Sequence, residues 1–315
     1  MASLQLPMRM MILPMMVISL VLVSIPTSAA LPFVLLHGIG GYCGEMFYSW
    51  FKTYAGSVSG STGYCIEIGN GAPDSWTMPL HEQARIACEK VKQMAELKDG
   101  YNIVGISQGN LIARGLIELC DGGPRVNNYI SLGGPQAGLI SFCMPLLHMQ
   151  EHMAPSGYIK VPTDIRGYLK GCKYLPRINN EIPDQRNATY KKRFSSLKNL
   201  VLIMFEEDTI VVPKETAWFG FYPDGDLTKI LPPQETKLYT EDWIGLRTLD
   251  EAKKVHFIRL PGIHIGITPA GIIENVVPYL KEQVLAKTTI KGWSSLVSNT
   301  MTDLIAAKEK RLLHK

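Results

Sequence analysis

A mostly parallel α/β sheet is predicted for this chain by three features of its sequence. Short apolar runs of strand length alternate with stretches of helical periodicity from residue 32 to residue 260. The runs are apolar throughout, which suits strands covered on both faces. His37, Ser107, Asp208 and His264 each follow one of these runs, where loops leave the carboxyl ends of strands and reactive groups gather. With 315 residues, 46% of them hydrophobic, the chain can bury one large core. It shows no internal repeat or low-complexity linker that would divide it.

The first thirty residues stand apart. Arg9 is their only charge, an apolar run follows, and Thr27, Ser28, Ala29 and Ala30 are small. Residues 1–30 therefore read as a secretory signal peptide cleaved near Ala29 or Ala30; two prolines in the run argue against a retained anchor. The mature chain then starts at Leu31, and "PFVLL" (32–36) is its first strand, followed by the turn-rich "HGIGGYCG". Residues 80–97 place Leu80, Ala84, Ala87, Val91 and Met94 on one helical face. "YNIVGI" (101–106), "VNNYISL" (126–132), "LVLIMF" (200–205) and "VHFIRL" (255–260) are further strands. Between them, residues 139–159 form an apolar, methionine-rich segment that suits a cap over a greasy site.

The net charge of +4 is a property of the ends. Residues 286–315 hold five Lys and one Arg against Asp303 and Glu309, and Arg9 adds one more positive charge, leaving about −1 for residues 31–285. A nucleic-acid partner is not implied for that core. In the tail, Ile290, Trp293, Val297, Met301 and Leu304 recur at three or four residues, the pattern of a basic amphipathic helix. Docking of that helix on the core is the preferred reading over contact with a membrane surface.

Passage through the secretory pathway permits disulfides among the six cysteines, at 43, 65, 88, 120, 143 and 172. Their spacing shows no CxxC pair, and the residues alone leave fifteen full pairings open. The sequon at Asn187 fits the same compartment as a glycosylation site.

Gly105-Ile106-Ser107-Gln108-Gly109 is a G-x-S-x-G pattern, lying between a strand and the helical stretch 110–119. Its glycines permit a tight turn that exposes the serine hydroxyl. A hydroxyl becomes a nucleophile when an imidazole takes its proton, and a carboxylate must orient that imidazole. In this type of fold the chain order is Ser, acid, His. Of the downstream histidines, His256 lies inside a strand run and His314 in the tail, whereas His264 follows a strand on a loop. Glu206, Glu207 and Asp208 follow another strand; Asp208 is chosen because it lies furthest into the loop, with Glu207 as the reserve. The turn after His37 is read as an oxyanion loop, its donors the N–H groups of Ile39 and Gln108, with His37 as a loop brace.

One rival motif is His148-Met149-Gln150-Glu151-His152, an H-x-x-E-H pattern that can bind zinc on a helix. Pro145 and Pro155 confine any helix there to about two turns, and no third ligand is marked. No metal is expected.

The stretches "HGIG" (37–40), "GYNIVGISQGNLIARGLIELC" (100–120), "ISLGGPQAG" (130–138), "NATYKK" (187–192), "AWFGFY" (217–222) and "QETKLYTEDWIGL" (234–246) resemble the palmitoyl-protein thioesterases. Those are lysosomal α/β-hydrolases that remove fatty acyl groups from protein cysteines. The resemblance runs from about Leu31 to Leu285 and implies an α/β-hydrolase fold with Ser107, Asp208 and His264 as its triad. It also implies a disulfide between Cys88 and Cys120, S-acylated proteins or peptides and fatty acyl thioesters as substrates, no metal or organic cofactor, and a lysosomal or vacuolar lumen as the destination. Two departures stand out. The family commonly has an adjacent cysteine pair after "HGIG", where this chain has the single Cys43, so Cys65 becomes a candidate free thiol. Where relatives read "IVDP", this chain has Ile210-Val211-Val212-Pro213, which leaves Asp208 intact. The tail from Ala286 has no counterpart there.

Overall fold

The structure is a computed structural model, and it describes residues 30–140 and 153–281. Residues 1–29 of the proposed signal peptide, the centre of the cap segment with His148 and His152, and the basic tail lie outside the described residues.

Six strands form one sheet in the order β2-β1-β3-β4-β5-β6, and every ladder is parallel. β1 (Phe33–Leu36) leads through α1 (Met46–Ser59) to β2 (Gly63–Cys65), and α2 (Ala72–Thr77) and α3 (Leu80–Gln93) return the chain to β3 (Tyr101–Ile106). α4 (Gly109–Glu118) precedes β4 (Val126–Leu132). The short helices α5 (Ile165–Gly171), α6 (Leu175–Ile178) and α7 (Ala188–Ser195) lie between β4 and β5 (Asn199–Phe205). α8 (Lys237–Thr240) and α9 (Leu246–Glu251) precede β6 (Val255–Leu260), and α10 (Pro269–Asn275) and α11 (Val277–Leu280) close the described chain.

The apolar runs became strands because the sheet is covered on both faces. Val34, Leu36 and Ile103 point into one buried cluster with α3 and α4, while Phe33, Leu35, Val104 and Ile106 point into a second one with α1, α10 and α11. β2 is absent from the sequence reading, and its position explains why. It is a three-residue edge strand, half-buried, with no apolar run to mark it. The helix expected over residues 80–97 ends at Gln93; Met94 turns extended, and a 3-10 turn (Ala95–Leu97) buries Leu97 completely. Of the cap segment, the described ends meet as a parallel bridge between Leu139 and Ile159.

β2 and β3 lie on opposite sides of β1, so the chain reverses its direction of sheet growth between β1 and β3. At such a switch point the loops after the two strands diverge and leave a crevice. The turn after β1 and the turn carrying Ser107 therefore share one rim.

Two disulfides staple this arrangement. Cys88 on α3 bonds Cys120 just past α4, with the Cα atoms 5.4 Å apart. Cys43 bonds Cys65, with Cα atoms 5.7 Å apart, so Cys65 is paired rather than free; the two cysteines meet because β1 and β2 run side by side. Cys172 is buried and has no disulfide partner among the described residues. Replacing Cys88 and Cys120 together by alanine is expected to lower the unfolding free energy by about 3 to 4 kcal/mol, because the cross-link spans a separation of 32 residues. Urea denaturation of the variant and the parent, fitted with a common slope, checks this value.

Candidate active site

Ser107 sits at φ 53, in the left-handed region that non-glycine residues seldom occupy. The turn is held there by hydrogen bonds. Ser107 N–H donates to the Leu132 carbonyl at 2.9 Å, and the Asn110 amide donates to the carbonyls of Ser107 at 2.9 Å and Leu132 at 3.0 Å. The two motif glycines answer to a close approach. A Cβ on Gly109 would lie 2.4 Å from the Leu36 carbonyl oxygen, and one on Gly105 would lie 2.5 Å from Asn110 Oδ1.

Residues far apart in sequence converge on the serine hydroxyl. His264 Nε2 lies 2.9 Å from Ser107 Oγ, and His264 Nδ1 lies 2.7 Å from Asp208 Oδ2. The other carboxylate oxygen of Asp208 accepts N–H bonds from Ile210 at 2.9 Å and Val211 at 3.0 Å. With both oxygens engaged and the side chain only 2% exposed, the carboxylate is fixed in position. Glu207 takes no part; its carboxylate accepts from Gly262 N–H on the exposed side. His256 lies on β6 beside Asn199, at 3.1 Å. Such a line of contacts can pass a hydroxyl proton to the imidazole and hold the resulting cation.

The turn after β1 contributes backbone donors. Gly38 N–H donates to the Tyr48 hydroxyl at 3.0 Å, and Gly40 N–H to the Ser75 hydroxyl at 2.7 Å. Between them, Ile39 N–H makes no hydrogen bond among the described residues, nor does Gln108 N–H at the start of α4. The Gln108 side chain is engaged elsewhere, donating to the Ser75 carbonyl at 2.7 Å and accepting from the Tyr158 hydroxyl at 3.0 Å. Ser75 thus ties the two donor-bearing turns together. Tyr48, Ser75 and Asn110 escaped the sequence reading because they belong to no motif; only spatial contact gives them a role. Among the described residues no cluster of metal-binding side chains occurs, and the H-x-x-E-H histidines lie outside those residues.

The family model for palmitoyl protein thioesterase matches residues 32–264, a span that includes the serine, the aspartate and the histidine. The chain belongs to that family. Palmitoyl-protein thioesterase 1 of Caenorhabditis elegans is 33% identical over 271 residues, covering 78% of this chain and 90% of the relative. Palmitoyl-protein thioesterase 3 of Dictyostelium discoideum is 36% identical over 248 residues, covering 73% of this chain and 83% of the relative. The lysosomal thioesterase PPT2 of Homo sapiens is 30% identical over 237 residues, covering 69% and 73% of the two chains.

In this thioesterase-family chain the helix behind the serine is anchored by a buried ion pair. Arg114 and Glu118, both fully buried on α4, are hydrogen-bonded to each other. The guanidinium also donates to Asn179 Oδ1 at 2.9 Å and the Ile178 carbonyl at 2.8 Å, and it stacks on Phe194 and Phe219. α4 is thereby locked to the segment around α6. Burial pushes the Glu118 carboxyl up to about 7, against the opposing pull of Arg114. A carboxyl raised in the folded state binds more protons there than in the unfolded chain. Its contribution to stability is therefore fully present below about 4.5 and is lost as pH rises through about 7. Glu118→Gln is expected to flatten that part of the stability profile, measured by chemical denaturation between pH 4 and pH 8, whereas Arg114→Ala should cost about 3 to 5 kcal/mol by stranding a buried acid.

Proposed function

We propose that this protein is a serine hydrolase of fatty acyl thioesters that releases palmitoyl and similar long acyl chains from cysteines of proteins or peptides. The observation that carries this reading is the contact of Ser107, His264 and Asp208 beside two N–H groups that make no hydrogen bond among the described residues, in a chain of the palmitoyl protein thioesterase family. Ser107 Oγ attacks the thioester carbonyl while His264 Nε2 takes its proton. Asp208 accepts a hydrogen bond from His264 Nδ1–H, which sets the tautomer and stabilises the imidazolium. The N–H groups of Ile39 and Gln108 receive the oxyanion. Collapse of the tetrahedral adduct expels a cysteine thiolate, which unlike an amide nitrogen needs no protonation in order to leave, so thioesters react ahead of amides; the departed thiolate then takes the proton from His264. His264, neutral again, deprotonates a water that attacks the acyl-serine ester, and it returns that proton to Ser107 Oγ as the fatty acid is released. Every step uses groups of the chain and water.

The rim supports an apolar substrate. Ile210 and Ile263, next in the chain to the acid loop and the histidine, are 66% and 70% exposed. Two disulfides suit an oxidising compartment, and the human relative is named as lysosomal; both support delivery through the secretory pathway to a lysosome or vacuole. Asn187 supports a glycan in that setting. It caps α7 through its side-chain oxygen, bonded to Thr189 N–H at 2.8 Å, and this leaves the amide nitrogen, the atom that bears the sugar, turned away from the cap.

Ser107→Ala is expected to abolish labelling by a fluorophosphonate and to lower turnover of a palmitoyl-cysteine peptide by roughly four to six orders of magnitude. His264→Ala should be comparably severe, and Asp208→Asn somewhat milder, since the imidazole is misdirected rather than absent. Near-normal thioester hydrolysis by Ser107→Ala would overturn the mechanism. Faster cleavage of a matched oxygen ester than of the thioester would overturn the substrate assignment. Treatment of secreted protein with an N-glycosidase should lower its mass, and Asn187→Gln should remove that difference.

A further inference from the structure

We propose that Glu67 is a positioning residue for the oxyanion turn, acting through His37 and the Cys43 amide; this rests on the reading of Ile39 N–H as an oxyanion donor. Glu67 follows β2, the strand beside β1. Its carboxylate reaches both ends of the turn after β1. Oε2 accepts from Cys43 N–H at 2.8 Å, and Oε1 lies 3.0 Å from His37 Nε2. His37 stands two residues before Ile39 and Cys43 four residues after it, so one side chain ties down both flanks of the donor.

The contact with His37 is close. The imidazole side chain is 1% exposed and Glu67 33% exposed, so the pair runs from the core to the surface. Neither Nε2 nor Oε1 has a well-directed hydrogen bond among the described residues, although they are only 3.0 Å apart. His37 Nδ1 faces the Gly38 carbonyl at 3.0 Å, so both ring nitrogens look at oxygen atoms.

The remaining anchors sharpen what Glu67 does. Tyr48 and Ser75 hold Gly38 and Gly40 from the other side, and the Cys43–Cys65 disulfide crosses the same gap as the carboxylate. The loop is therefore tethered without Glu67, and removing the carboxylate lets the turn relax by up to about 1 Å without unfolding it. An oxyanion donor is sensitive on that scale, because displacement of about 1 Å costs roughly a hundredfold in rate. The effect falls on the tetrahedral state, where the bond to Ile39 N–H is strongest, and spares ground-state binding.

The test compares Glu67→Gln and Glu67→Ala with the parent, each shown by mass to retain the Cys43–Cys65 bond. Glu67→Gln keeps an acceptor for Cys43 N–H and loses the charge facing His37; Glu67→Ala loses both. On a palmitoyl-cysteine peptide, kcat should fall about tenfold in Glu67→Gln and about a hundredfold in Glu67→Ala, with KM within about twofold. Affinity for a long-chain trifluoromethyl ketone, which adds to Ser107 as a tetrahedral mimic, should weaken by the same factors. Unchanged kcat and ketone affinity overturn the proposal, as does a rise in KM at constant kcat. If Glu67→Ala fails to fold, Glu67→Gln decides on the same two readouts. Parent and Ser107→Ala run alongside: a parent that captures the ketone through Ser107 but hydrolyses no thioester removes the substrate assignment, while the ketone affinities still judge Glu67.

Discussion

The closeness of the start of α4 to the carbonyl end of β1 is the constraint on which the site depends. Gly109 passes so near the Leu36 carbonyl that no side chain fits between them. That approach forces the turn after β3 to be tight, which drives Ser107 to a positive φ and lifts its hydroxyl to the rim. The same approach brings Gln108 N–H beside the glycine turn after β1. A wider turn would separate the Ser107 hydroxyl from the glycine turn after β1, and the strain at Ser107 is offset by the bonds to Leu132 and Asn110 behind it.

Around that constraint the molecule divides its labour by polarity. Apolar contact fixes the gross positions, since strands alternate their side chains between two clusters and the helices lie over each. Polar contact fixes the fine ones. Arg114 binds α4 to the α6 region, Ser75 joins the Gly40 and Gln108 turns, and Asp208 sits in a cradle of its own backbone amides. Buried polar groups are costly unless satisfied, so these networks specify one arrangement where apolar packing alone would allow neighbours.

Much of the fold was legible because its central strands are buried on both faces and the half-buried edge strand β6 still carries an apolar run. Residues 101–106, 126–132 and 255–260 are apolar enough to be read directly, and the structure gives them those same bounds. β2 was silent, being an edge strand of three half-buried residues whose pairing with β1 supplies the order its own side chains lack. The helix at 80–97 was read too long, because periodicity continues through Met94 and Leu97 although the backbone turns between them.

The site divides in the same way. Ser107 was legible because a tight strand-turn-helix needs glycines at fixed offsets, a local demand that leaves a local mark. Asp208 and His264 were legible in kind and chain order, since each follows a strand of a parallel sheet. Which of Glu207 and Asp208 meets the imidazole is a matter of the direction in which a loop turns, and that is set by the amides of Ile210 and Val211. The Cys43–Cys65 pairing and the reach of Glu67 to His37 depend on β2 lying beside β1. By itself the sequence determined the layers of the fold, the serine turn and the chain order of the residues that meet it, because those follow from short-range sterics and periodicity. Only the tertiary structure decided which distant groups touch, because contact between residues far apart along the chain depends on strand order, which no local pattern encodes.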